Sequence, residues 1–120
     1  SDSSDCYYVI AEDKTTSQPI GTCCAVVKEN GACWDIGYCI HPTAWHKGYA
    51  KEMVRALMDF GIQMGVCTFL ADVAADNAAS CAVMRSLGFV GTENGTFHRG
   101  GTAMEYRNLT FRKEVAELQN

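Results

Sequence analysis

The sequence predicts a single mixed α/β domain spanning residues 1–120, with the element order β-β-β-α-β-α-β-β. Three observations lead there. The first forty residues hold three short runs rich in β-forming residues, separated by polar turns. At Gly48 the apolar period lengthens from about two residues to about 3.6. The second half then alternates strand-like and helix-like segments, as a strand-helix-strand crossover does, and such a crossover is parallel and right-handed.

Cys6 to Glu12 is the first run, and Asp13 to Pro19 the polar turn after it. Ile20 to Lys28 reads as the second strand, closed by the hairpin-type turn Glu29-Asn30-Gly31. Cys33 to His41 alternates cleanly. Trp34, Ile36, Tyr38 and Ile40 face one way, and Cys33, Asp35, Gly37, Cys39 and His41 the other, with Pro42 as the stop. From Gly48 to Met64, Ala50, Met53, Val54, Leu57, Gly61 and Met64 form one helical face, and Gly65 ends the helix.

Val66 to Ala74 is almost continuously apolar, which predicts a strand covered on both faces. Asp76 or Asn77 is placed to cap a helix that runs to Leu87, with Gly88 just beyond its end. Phe89 to Thr92 and Thr102 to Thr110 read as two more strands joined across Arg99-Gly100-Gly101, and Phe111 to Asn120 as a tail or short helix. Trp34, Tyr38, Phe60 and Phe89 are expected in the core, with no part in chemistry.

Composition narrows the function classes. Hydrophobic residues make up 48% and charged residues 20%, the balance of a globular domain. No apolar run is long enough to cross a bilayer, so no membrane partner is expected. The net charge is −4, and Asp2, Asp5, Glu12, Asp13, Glu29 and Asp35 oppose only Lys14 and Lys28 in the first 42 residues. Such a balance without a basic stripe argues against nucleic acid as a partner. The seven cysteines are odd in number and form no C-x-x-C pair, which favours reduced thiols and a cytoplasmic location over a disulfide framework. Cys33, Asp35, Cys39 and His41 share a strand face, but the ends of that set are too far apart to hold one metal ion. No metal is expected.

The informative stretch is Ile40 to Arg55, IHPTAWHKGYAKEMVR. The helix that starts near Gly48 has no Ser, Thr, Asp or Asn at its cap, so its first backbone N–H groups lack an obvious partner. Lys47 and Lys51 stand at the positive end of the helix dipole, where cations are mildly unfavourable. An anion at this end would remove both oddities. Alternatively, Gly48 is only a turn residue and the lysines are solvated. Neither G-x-G-x-x-G nor G-x-x-x-x-G-K-[ST] is present.

Trp45-His46-Lys47-Gly48-Tyr49-Ala50 resembles the pyrophosphate-binding loop of the GNAT acetyltransferase superfamily, whose pattern is Q/R-x-x-G-x-G/A. Asn77-Ala78-Ala79-Ser80 followed by Leu87-Gly88-Phe89 is similar to the N-x-x-S…L-G-F signature of the branch containing the ribosomal-protein Ala/Ser N-acetyltransferases. The resemblance runs from about Tyr7 to Leu109. It implies transfer of an acetyl group from acetyl-CoA, the co-substrate, to a primary amine on a small molecule or peptide, directly in a ternary complex. It further implies that the backbone of Cys39 and Ile40 pairs with the pantetheine arm, and that the amides of Trp45, His46, Lys47, Gly48, Tyr49 and Ala50 hold the pyrophosphate. Asn77 would hydrogen-bond the pantetheine, and Ser80 would lie by the thioester sulfur and protonate the departing thiolate.

The sequence departs from that pattern at three points. Met84 stands where many members of the superfamily carry a tyrosine acid, and His46 where a small or polar residue is usual. The superfamily's first strand and two helices have no counterpart here, which points to N-terminal truncation and leaves three ways open for the acceptor groove: completion by a partner chain, as in a homodimer, completion by upstream residues, or no completion. For the general base, Asp35 and His41 are the candidates, with Glu105 behind them. A second functional reading is a non-catalytic module that binds CoA or acyl-CoA.

Overall fold

The structure is a computed structural model that describes residues 6–41, 44, 48–98 and 105–115, with side chains at 96–98 and 105–106 left aside. Its elements are β1 (Cys6–Glu12), β2 (Pro19–Lys28), β3 (Cys33–Ile40), α1 (Tyr49–Gln63), β4 (Thr68–Ala74), α2 (Ala78–Ser86), β5 (Val90–His98) and β6 (Glu105–Glu114). This is the predicted order. The six strands form one sheet in the order β1-β2-β3-β4-β6-β5. Only β3 and β4 run parallel, joined by the α1 crossover, and the remaining pairs are antiparallel.

Local sequence explains the turns. Between β1 and β2 the Asp13 carboxylate accepts from the backbone N–H groups of Thr15 (2.7 Å) and Thr16 (3.1 Å), an Asx turn. Between β2 and β3, Glu29, Asn30 and Gly31 all take positive φ and form one turn of 3-10 helix. Asn77 caps α2, its side chain accepting from the Ser80 N–H at 3.1 Å.

Both helices lie on one face of the sheet. Trp34, Ile36, Phe69, Ala71, Val73 and Phe111 from the strands meet Met53, Val54, Leu57 and Met58 of α1 and Cys81 and Met84 of α2. Gly61 lets α1 approach closely, because a Cβ there would sit 2.9 Å from the Trp34 ring and 3.0 Å from that of Phe69. The opposite face carries no helix among the described residues. It presents Tyr8, Ile10, Val26 and Val90, all exposed, between polar rows such as Asp72–Thr110–Asn94 and Thr68–Glu114.

Three expectations need correction. β4 is not covered on both faces: Phe69, Ala71 and Val73 are buried, but Asp72 is exposed and Leu70 half-buried. Leu70 and Asp72 point to the face without helices, so the apolar run reflects one packed face and a mixed one. Phe111 is not in a tail, since β6 continues to Glu114 and Phe111 and Val115 are fully buried. The pairing of β6 with β4 from Thr68–Glu114 to Ala74–Asn108 recruits that segment, which local pattern alone reads as a tail or short helix. Phe60 is 43% exposed, sitting at the rim beside Tyr7 and Trp34 rather than inside the core.

Candidate active site

The parallel ladder between β3 and β4 is short. It pairs Cys33–Thr68, Trp34–Phe69 and Asp35–Leu70, and then stops. Each strand continues, β3 bonded to β2 as far as Ile40 and β4 to β6 as far as Ala74, but no ladder joins them to each other. The result is a wedge-shaped gap with Asp35 and Leu70 at its apex. Backbone groups facing such a gap need hydrogen-bond partners, and an amide-rich ligand laid between the strands supplies them.

At the open end of the gap β3 leads toward the start of α1. Gly48 caps this helix with φ +79°, a left-handed conformation, and among the described residues no side chain closes the end. Among the described residues, a Cβ at Gly48 would touch nothing within 4 Å beside the first turn. Tyr49 and Ala50 form that turn and are half-buried. Free N–H groups, helix dipole and open space together fit an anion. Trp45, His46 and Lys47 lie outside the described residues.

Across the gap stands α2. Ser80, in its first turn, is half-buried, and its backbone N–H is the one that Asn77 accepts. Capping therefore occupies the Asn77 oxygen already, and what Asn77 offers a ligand is its amide nitrogen. Met84, one turn beyond Ser80, is fully buried in the core. It packs; it carries no proton.

Among the described residues, Tyr38 holds the one buried side-chain N or O atom without a hydrogen-bond partner, its hydroxyl oxygen. Burial pushes its pKa up, and the neighbouring Ser80 hydroxyl opposes that rise without completing a well-formed hydrogen bond. Expected only as core, Tyr38 does pack against the core, but its ring also reaches from β3 toward α2. The alternation on β3 had put Tyr38 on the helix side; what it could not show is that the polar tip ends without a partner.

The candidate bases are scattered. Asp35 lies at the apex of the gap on the helix-free face, paired with Lys28 at 3.1 Å, and its side chain is 27% exposed. The same contact raises the Lys28 pKa, first through the hydrogen bond and then through charge. Asp35 and Ser80 thus approach the gap from opposite faces of the sheet. His41 is exposed just past the end of β3, where its N–H donates to the Ile20 carbonyl at 2.6 Å. The Glu105 side chain lies outside the described residues. Cys39 is exposed on the helix-free face, and Ile40 is half-buried on the other.

A cleft of ≈650 Å³ lies elsewhere, between β1, the turn after it and α1, and is lined by Glu12, Asp13, Glu52 and Phe60 among others. Its three carboxylates against Lys14 would repel a diphosphate.

A sheet splayed between two parallel strands, with an uncapped helix start at the mouth, defines the class. Residues 1–90 match the family described as Acetyltransferase (GNAT) domain, and the chain belongs to that family. Its relatives include the uncharacterized protein YkkB of Bacillus subtilis, 38% identical over 84 residues that cover 66% of this chain and 48% of that protein. The uncharacterized N-acetyltransferase p20 of Bacillus licheniformis is 35% identical over 79 residues, 63% of this chain and 44% of the relative. The chain spans about half the length of these curated relatives.

Among solved structures, the Vibrio cholerae spermidine N-acetyltransferase in complex with CoA and spermine superposes with TM-score 0.84 at 14% identity, covering 97% of this chain and 69% of that one. The ribosomal-protein-S5-alanine acetyltransferase of Vibrio fischeri gives TM-score 0.83 at 19% identity, covering 95% and 64%. These likenesses establish the fold. They extend equally to a polyamine enzyme and a ribosomal-protein enzyme, so the resemblance to the ribosomal branch is not singled out.

Proposed function

We propose that this chain binds acetyl-CoA in the β3–β4 gap and transfers its acetyl group directly to a primary amine. The observation that carries this reading is the ladder that ends at Asp35–Leu70 while both strands run on. A partly opened sheet costs backbone hydrogen bonds, and a ligand bearing amides restores them. The gap edge of β3 toward Cys39 and Ile40 would pair with the pantetheine arm. The N–H groups from Gly48 to Ala50, with Trp45, His46 and Lys47 before them, would hold the diphosphate, and the Asn77 amide nitrogen would reach the pantetheine.

Bound acetyl-CoA supplies an acetyl group activated as a thioester. The chain's part is to position it and to handle protons. An amine arriving from the helix-free face meets the apex at Asp35, which could take up the proton the amine must lose; free α-amines have pKa values near 8 and lysine amines about 10.4. Ser80 approaches from the other face, where the leaving sulfur would lie. Base and acid then flank the reacting centre, one on each side of the sheet. The acceptor's class is a primary amine, whether a small polyamine or a peptide N-terminus. The described cysteines are all free, in keeping with a reducing compartment such as the cytoplasm. No helix among the described residues is long and apolar enough to cross a membrane.

The burial of Met84 favours a second reading, a CoA-binding module without turnover, because α2 then brings only Ser80 to the gap. Calorimetric titration with acetyl-CoA and CoA, followed by thiol release with a panel of primary amines, separates the two. Binding with amine-dependent thiol release supports the transferase, and binding without it supports the module. A folded chain that binds neither form of CoA would sink both.

A further inference from the structure

We infer that Tyr38 of β3 is the proton donor to the departing sulfur, filling from the sheet the place that Met84 leaves empty on α2. The inference rests on the reading of the gap as the acetyl-CoA site. Three observations bring it there. The Tyr38 hydroxyl is buried and, apart from a loose approach to the Ser80 side chain, has no hydrogen-bond partner among the described residues, a condition that ordinarily costs a fold stability and is retained where a ligand completes it. Its neighbour is the half-buried Ser80 in the first turn of α2. Tyr38 itself stands three residues beyond Asp35, on the part of β3 that has parted from β4.

Position and chemistry agree. Tyr38 and Asp35 point to opposite faces of one strand, so an amine deprotonated on the Asp35 side attacks the acetyl carbon while the sulfur departs on the Tyr38 side. The C–N bond forms as the C–S bond breaks. The electron pair of the C–S bond stays on sulfur, and the phenol proton, passed directly or through the Ser80 hydroxyl, converts that sulfur to the thiol. The proton shed by the amine restores the phenol through solvent, so protons balance over a turnover. Burial keeps Tyr38 protonated at neutral pH, the form a donor requires.

The test uses Tyr38→Phe and Ser80→Ala, with CoA and desulfo-CoA as probes. Tyr38→Phe removes an oxygen without a partner, so it is expected to melt no lower than the parent. By calorimetry the parent should bind CoA about threefold to tenfold more tightly than desulfo-CoA, as one net hydrogen bond allows, and in Tyr38→Phe this ratio should fall to about one. An unchanged ratio in Tyr38→Phe would overturn the assignment whether or not the chain turns over. In acetyl transfer, Tyr38→Phe should lower kcat by about 100-fold with little change in the KM for acetyl-CoA, the range of general-acid catalysis. Adding Ser80→Ala should then cost little more. A Tyr38→Phe variant with the parent's kcat would refute the donor role while leaving the proposed function standing. A parent that binds no CoA refutes that function and this inference with it.

Discussion

Replacing Gly48 by Asp should separate cofactor binding from stability. Gly48 has φ +79°, where an L-residue is strained by roughly 1–2 kcal/mol and Asp by less, since it tolerates this region. No atom of the described residues beyond its chain neighbours lies within 4 Å of the added Cβ, so no clash with them adds to that strain. The new carboxylate stands at the N-terminus of α1, where a negative charge recovers roughly 0.3–1 kcal/mol. The net cost is therefore within about 1 kcal/mol, or about 4 °C in Tm for a chain of this size. A bound diphosphate would meet the same carboxylate. Two like charges about 4 Å apart repel by about 1 kcal/mol even in water, so a doubly charged group loses about 2 kcal/mol, about 30-fold in Kd. Gly48→Ala carries comparable strain without charge and serves as the control. Thermal melting and calorimetry with CoA on the three proteins make the comparison. If Asp and Ala weaken CoA equally, or if Asp costs stability and leaves affinity untouched, the helix start is not the diphosphate site.

Met84→Ala should destabilise the fold by about 2–5 kcal/mol, because the side chain is fully buried among core residues, and chemical denaturation reads this directly. Gly61→Ala should lower stability by about 1–3 kcal/mol, since its methyl group would press on the Trp34 and Phe69 rings; an unchanged midpoint would show that α1 can shift away from the sheet. The Glu114 pKa is lowered, first by the Thr68 hydroxyl that donates to it at 2.8 Å and then by Arg112. A depressed carboxylate contributes stability above its unfolded pKa, about 4.3, and loses it as pH falls through the folded value. Glu114→Gln should therefore flatten part of the acid limb of a Tm-against-pH curve below about pH 4.5 and leave its slope near neutrality alone.

How far the sequence carried the fold depended on whether each signal was local. The β3 alternation and the α1 periodicity are properties of single segments, and both elements appeared within a residue or so of their expected ends. The local pattern stops β6 short because Phe111 to Glu114 owe their extended form to pairing with Thr68 to Ala71, 40 to 46 residues away. The apolar run Val66 to Ala74 reads as two-sided because Leu70 is as apolar as its neighbours, whereas the face it points to carries Asp72 and, among the described residues, no helix. In the site, a glycine-started helix without a side-chain cap was legible as a pattern of types. Tyr38 was not, because its significance lies in a missing partner, and only three-dimensional packing reveals what a hydroxyl fails to touch.

The same geometry that makes the gap a site makes it tolerable to the fold. β3 and β4 part only after Asp35–Leu70, by which point Trp34 and Phe69 are fully buried and locked edge to face at 6.2 Å. Beyond that lock each strand retains an antiparallel neighbour on its outer side, so one edge of each is exposed to the gap rather than a whole strand. α1 and α2 meet over the same core and brace the two halves from one side. A wedge braced by its own core packing reduces the entropy that binding would spend on forming it. Pre-organisation of that kind suits the site proposed above, in which a long flexible arm would lie along two strand edges with its reacting end at the apex, between Asp35 on one face and Tyr38 with Ser80 on the other.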